Sequence, residues 1–214
     1  SSRRCERRDR SYCADVYIVS PQGGDPRRIS TFADADAEPS FEGGGPQWSP
    51  DSRQLVWTRA GEERFIWYTP IQPVVADITT GEERQVGWID RWFYYPRFAP
   101  DGQHLLALVE QDRDTWLARI SVASGEIEYL TSGRRFASGF AAADNGRLAV
   151  LDSDPLTPAA LRTVESRPRT LSPQNAWVAN RTLIDAQDVS WMSEGMEIHG
   201  QLLLPPGHTE GQKH

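Results

Sequence analysis

The sequence predicts an all-β fold made of repeated four-stranded units, and three observations carry that expectation. First, Gln47-Trp48-Ser49-Pro50-Asp51-Ser52-Arg53-Gln54-Leu55-Val56-Trp57 returns 50 positions on as Arg97-Phe98-Ala99-Pro100-Asp101-Gly102-Gln103-His104-Leu105-Leu106-Ala107. A worn third copy, Phe140-Ala141-Ala142-Ala143-Asp144-Asn145-Gly146-Arg147-Leu148-Ala149-Val150, follows, aligned on Asp144. Second, a different turn, Thr79-Thr80-Gly81-Glu82, is matched by Ala123-Ser124-Gly125-Glu126 and alternates with the first. Third, the stretches flanking both turns are short and apolar or alternating, as strands are. Self-similarity at this spacing marks a repeat architecture.

The turn chemistry explains each copy. Proline presets φ at the first central position, aspartate tolerates turn geometry, and glycine or serine closes the turn. The aromatic before it ends one strand and the apolar run after it begins the next, so each copy is a hairpin.

Taken in order, the chain opens with Arg3, Arg4, Arg7, Arg8 and Arg10 around Glu6 and Asp9. A solvated loop or cut end over residues 1–13 is expected there, with a basic arm for an acidic partner as the alternative. Cys5 and Cys13, the only cysteines, read as free thiols first and a local disulfide second. Ala14 to Val19 and Arg27 to Thr31 form a hairpin, the last half of one unit. Residues 46–87, 94–131 and 137–172 then supply three units of four antiparallel strands each. Four strands per 40–50 residues is the pattern of a β-propeller blade. The expected architecture over 14–183 is therefore a partial β-propeller of about three and a half blades, fewer than close a ring. From Ile184 the pattern changes, and Asp188 to Leu204 reads as a longer hairpin turning at Ser193-Glu194-Gly195. Residues 184–214 are expected to open a different domain.

Composition narrows the class. A net charge of −7 argues against a general nucleic-acid binder. No run of about 18 apolar residues is present, which leaves no membrane-spanning helix. Cytoplasmic and periplasmic locations, and a homo-oligomer, all stay open.

The Pro-Asp turns resemble those of TolB-type propellers, which says nothing about activity. The tail is more telling. Val189-Ser190-Trp191, Ser193-Glu194-Gly195-Met196-Glu197-Ile198-His199-Gly200 and Leu202-Leu203-Leu204-Pro205-Pro206-Gly207 resemble the linker and first hairpin of the prolyl oligopeptidase family of serine peptidases. The acylaminoacyl-peptidase and dipeptidyl-peptidase branches are the most similar. This resemblance implies that the hairpin leads into an α/β-hydrolase domain, with peptides as substrates and that domain of the same chain as partner. It also implies a Ser-His-Asp site, whose serine sits in Gly-x-Ser-x-Gly. That motif does not occur in the 214 residues, and neither does a His-Gly-Gly segment. No catalytic residue is therefore assigned, and the chain alone is expected to be inactive. No cofactor is implied. A non-catalytic TolB-like scaffold that binds proteins is the alternative function.

Other candidates are few. His104, His199, His208 and His214 are scattered, and nothing in their spacing suggests a metal site. Asp51 and Asp101 could pass for an acid–base pair, but their fixed place in a repeated turn favours hydrogen bonding to the turn backbone. Trp88, Asp90, Arg91, Trp92, Phe93, Tyr94 and Tyr95 form the densest aromatic stretch, between two blades. Arg91 and Trp92 are the candidate substrate-binding residues there, with aromatic packing between blades as the alternative. In the dipeptidyl-peptidase relatives that the tail resembles, acidic propeller residues hold the substrate amine, a role this resemblance would extend to Glu38, Glu42 and Gly43-Gly44-Gly45. Nothing in the sequence aligns with that motif, and a flexible loop is the default.

Overall fold

The computed structural model describes residues 14–32, 35–36, 45–61, 65, 68–209 and 211. The arginine-rich start, Cys5, Cys13, Glu38, Glu42, Gly43, Gly44 and His214 lie outside the described residues.

Most strands form where the repeats place them, and a short strand over Ala35–Asp36 is an addition the repeats did not include. β1 (Tyr17–Ile18) and β2 (Arg27–Arg28) pair as the half blade. The first full blade runs from its inner edge to its outer edge through three layers of pairing. There β3 (Ala35–Asp36) and β4 (Gln47–Trp48) share one side of β5 (Gln54–Gly61), followed by β6 (Gln72–Asp77) and β7 (Glu83–Gln85). The second blade is a plain antiparallel meander of β8 (Phe93–Phe98), β9 (His104–Gln111), β10 (Asp114–Ser121) and β11 (Ile127–Tyr129). The third has β12 (Phe136–Ala142), β13 (Leu148–Asp154) and β14 (Thr157–Thr163). Its fourth strand is reduced to the single bridge between Arg162 and Thr170. The tail hairpin, β15 (Gln187–Ser193) and β16 (Met196–Leu202), is a separate two-stranded sheet.

Alternation along the strands builds the core between blades, because successive side chains leave opposite faces of a sheet. On β5, Leu55 and Trp57 face the half blade, where they meet Val16 and Ile29. Val56 between them faces the second blade and packs with Phe93, Leu105, Val109 and Ile120. On β9, Leu105, Ala107 and Val109 look back to the first blade. Leu108, beside Leu117 of its own blade, looks forward to Ala137 and Val150 at the third. Middle strands covered on both faces need continuous apolar runs, which is why Leu105-Leu106-Ala107-Leu108-Val109 reads as it does.

The first turn type is closed by aspartate. Both amides that follow Asp101, on Gln103 and His104, donate to its Oδ1 at 2.8 and 3.1 Å, and His104 Nδ1 lies 2.7 Å from Oδ2. Asp51 accepts from the Arg53 amide at 3.1 Å and the Ser49 hydroxyl at 2.6 Å. In the third copy the cap is Asn145, whose Oδ1 takes the Arg147 amide at 3.1 Å. The turn there is one residue tighter, with Ala143 N donating to Arg147 O, whereas Ala99 N donates to His104 O. Asn145, not Asp144, thus stands in the place of Asp101, and Ala142 rather than Phe140 in that of Phe98. The second turn type also repeats in detail. Gly81 and Gly125, at φ 74° and 75°, donate to Asp77 O and Ser121 O at 2.9 and 2.8 Å.

Blades one and two come close together at Gly87. A β-carbon there would lie 2.6 Å from Ile120 Cγ2, and its φ is 73°. Gly87→Ala should destabilise the fold by about 2–4 kcal/mol, from overpacking added to a strained backbone. Denaturant unfolding of the variant measures it.

The turn aspartates tie stability to pH. The Ser49 hydroxyl and the Arg53 amide hold the Asp51 carboxyl below the usual range, and the Thr80 and Thr79 amides do the same for Asp77. For Asp101, partial burial pushes upward, but the His104 ring and the Gln103 and His104 amides outweigh it, so it too is lowered. A folded value below the unfolded one gives stability that is complete above the unfolded value, about 4, and is lost as pH falls through the folded value. Replacing Asp51, Asp77 and Asp101 together by asparagine should flatten the fall in unfolding free energy between about pH 5 and 3. Denaturant titrations at each pH test this.

Candidate functional site

In a four-stranded meander the strands alternate in direction, so its connections divide between two ends. The Pro-Asp and Gly-Glu turns share one end. The turn between the two middle strands and the crossing to the next blade share the other. At this second end lie Asp112-Arg113, the crossing 88–92 and the crossing 132–135.

The segment before β15 docks at the same end. Arg134 reaches Asp185 at 3.1 Å and the Ala186 carbonyl at 2.8 Å. Arg113 reaches Asp188 at 3.2 Å and Asp112 at 3.5 Å. The hydrogen bond with Asp185 raises the Arg134 value further, against an opposing effect of burial. The tail hairpin thus leaves from the crossing end. It carries exposed Trp191, Met192, Met196 and Leu202, and its turn has Glu194 and Gly195 at φ 50° and 83°. Two positive φ values are what a two-residue hairpin turn requires. Gly200 leaves room for the Trp191 ring, 3.0 Å from where a β-carbon would stand.

A pocket of about 280 Å³ opens at this end between blades two and three. Tyr94 and Tyr95 from β8, Glu110 from β9 and Asp114 and Thr115 from β10 form one wall, with Arg113 at its turn. Phe136 and Ser138 from β12 form the other. Bulges shape both walls. The β8–β9 register shifts between Tyr94 and Arg97, where Tyr95 takes φ 53°, and the β12–β13 register shifts at Ser138. Bulges re-aim side chains in this way next to sites. Burial raises the Asp114 carboxyl value. The Arg135 amide and the charges of Arg113 and Arg134 offset part of that, and Asp188 adds to it.

The candidates from the sequence fall close by. Arg91 is exposed in the crossing 88–92, and its Nη1 donates to the Asp90 carbonyl at 2.6 Å. Gln72, buried in β6, holds the crossing by donating to the Ile89 and Arg91 carbonyls at 3.0 and 2.8 Å. Trp92 is half-buried against Ala60 and Ile71, with its ring 6.2 Å from that of Tyr94. It therefore packs between elements and also continues the aromatic wall. Glu110, Asp114, Thr115 and Phe136 were not singled out in the sequence. The signal that could have found them is the charged run Glu110-Gln111-Asp112-Arg113-Asp114 between two strongly apolar strands. Asp51 and Asp101 sit in turns at the opposite end. Among the described residues no group of three His, Cys, Asp or Glu is placed to hold a metal ion.

No family model matches the chain. It is 24% identical over 211 residues to dipeptidyl-peptidase 5 of Porphyromonas gingivalis, covering 94% of this chain and 29% of that protein. A solved acylaminoacyl peptidase of Pyrococcus horikoshii superposes with a TM-score of 0.72 at 16% identity, over 93% of this chain and 29% of that one. A TolB from Agrobacterium tumefaciens gives a TM-score of 0.57 at 15% identity, over 73% of this chain and 56% of that one. At these identities the structural matches speak for the fold, a partial β-propeller. The sequence match agrees with the resemblance to prolyl oligopeptidase-type peptidases that the tail carries. The chain spans under a third of the length of the peptidases it matches.

Exposed ion pairs contribute about 0–1 kcal/mol, so Arg134→Ala should leave the melting temperature within a few degrees. It should instead free the segment before β15, read as faster proteolytic cleavage between residues 173 and 187.

Proposed function

We propose that the chain is the propeller portion of a serine peptidase that hydrolyses short peptides. In this reading residues 14–183 form propeller blades, residues 184–214 form the linker and first hairpin of an α/β-hydrolase domain, and residues 1–13 are a loop or end. The catalytic Ser-His-Asp site lies in that further domain, so the 214 residues alone are inactive. The serine attacks the peptide carbonyl, the histidine takes and returns the proton, and the aspartate orients the histidine. The propeller restricts access, admitting short or flexible peptides and excluding folded proteins.

One observation carries the reading. The tail hairpin leaves the propeller at the end where the interblade pocket opens, anchored by Arg113 and Arg134, with Trp191, Met192, Met196 and Leu202 exposed. A domain built onto that hairpin stands over the pocket, and the volume between them becomes the substrate chamber. Arg91 and Trp92, in the neighbouring crossing, are then the residues that touch peptide. The TolB likeness favours a second reading, a propeller that binds proteins and performs no chemistry.

Treating the full-length gene product with a fluorophosphonate probe for activated serines separates the two. Labelling that a peptide blocks is the expected result, and a folded protein that does not label sinks the peptidase reading in favour of the scaffold. For the chamber, Arg91→Ala should raise KM for short peptides several-fold with little change in kcat, since it removes binding shared by ground and transition states. An unchanged KM would remove Arg91 from the substrate path.

A further inference from the structure

The pocket between blades two and three has a charge imbalance that the protein does not resolve. Thr115 and Glu110 are paired across β9 and β10, so their side chains stand on the same face of the sheet. Tyr94, paired with Leu108 two residues before Glu110, stands on that face as well. This face looks across the pocket at Phe136 and Ser138. The Glu110 carboxylate makes no ion pair or hydrogen bond among the described residues. The pocket's one cationic side chain, Arg113, is taken up by Asp112 and Asp188. Asp114 adds a second carboxyl whose ionised form burial disfavours.

A second, independent observation points to a ligand. Thr115 is only 6% exposed and lines the pocket, yet its side-chain hydroxyl makes no hydrogen bond among the described residues. The residue is held in place by its surroundings while its hydroxyl stays free of protein partners at the pocket wall, where a ligand donor can reach it. Tyr94, Tyr95 and Phe136 supply aromatic surface, which attracts a cation over a ring face.

We infer that this pocket binds the ammonium or guanidinium end of a lysine or arginine side chain. Glu110 supplies the counter-charge, the Thr115 hydroxyl accepts one N–H, and Tyr94, Tyr95 and Phe136 wall the alkyl stem. The volume, about 280 Å³, leaves room for one such side chain. An uncharged side chain of the same length offers Glu110 no counter-charge and Thr115 no donor, which is how such a site discriminates. The inference rests on the peptidase reading only for the source of the side chain, a substrate peptide.

The test uses full-length protein and ligand-observed NMR titration, which needs no turnover. The probes are Nα-acetyl-arginine amide, Nα-acetyl-lysine amide, the norleucine counterpart and glycyl-glycine amide, which has a free amino terminus and no basic side chain. The arginine and lysine probes should bind and the norleucine probe should not. Glu110→Gln should weaken them about tenfold or more, as loss of a charge-assisted hydrogen bond does. Thr115→Val, which keeps the shape and removes the hydroxyl, should weaken them several-fold and covers the case in which Glu110→Gln fails to fold. Equal binding of the norleucine probe, no binding of the basic probes, or unchanged affinity in both folded variants overturns the inference. Binding of glycyl-glycine amide alone also overturns it, because the cation would then be an amino terminus. Binding without fluorophosphonate labelling would defeat the peptidase reading and leave the pocket, and labelling without binding would do the reverse.

Discussion

The middle strands of the first two full blades have to bury apolar side chains on both faces, and the packing of the blades is arranged around that demand. Val56, Val75 and Val86 of one blade close against Phe93, Leu105, Val109 and Ile120 of the next, and most of these side chains are almost wholly out of water. Removing apolar surface at about 25 cal/mol per Å² makes such seams the main source of stability. The seams also set the spacing of the blades. Gly87 and Gly125 allow backbone to approach backbone, since a β-carbon on Gly125 would stand 3.2 Å from the Gly87 nitrogen.

Polar groups are then spent on register and on joining units, with few left over. Asp51, Asp101 and Asn145 hold the inner turns. Glu83, in β7, accepts from Thr31 Oγ1 at 2.9 Å and Arg59 at 2.6 Å, so one buried carboxylate ties the half blade to the first full blade. Asp152 in β13, with its side chain 4% exposed, sits between Arg135 at 3.2 Å and Arg162 at 2.8 Å. Losing either arginine would leave a buried charge short of a partner, which is where such pairs matter. Glu110 and Thr115, at the pocket between blades two and three, take no part in this pairing.

The division of connections between two ends follows from strand direction alone, and it separates the repeated turns from the connections that vary. One end holds the repeated turns, tightly hydrogen-bonded and similar from blade to blade. The other holds Arg91, Trp92, the Asp112-Arg113 turn and the anchor of the tail, which differ from blade to blade. Repetition fixes shape, so the residues that break the repeat are the ones free to carry specificity.

Blade number, strand order and turn positions were legible in the sequence because they depend on local chemistry. Pro-Asp-Gly and Thr-Gly-Glu specify turns within a few residues, and apolar alternation specifies which face of a strand is buried. The tail hairpin was legible for the same reason, Glu194-Gly195 demanding a tight turn. Where local signals weakened, so did the reading. The third copy aligned on Asp144, although the backbone uses Asn145, because either residue can cap and only the closure to Arg147 decides between them. The pocket depended on tertiary structure alone. Tyr94 and Phe136 are 42 residues apart in sequence, and a parallel pairing of Thr115 with Phe136 across two blades brings their walls together. No local pattern encodes that meeting, because it is set by how two finished sheets pack.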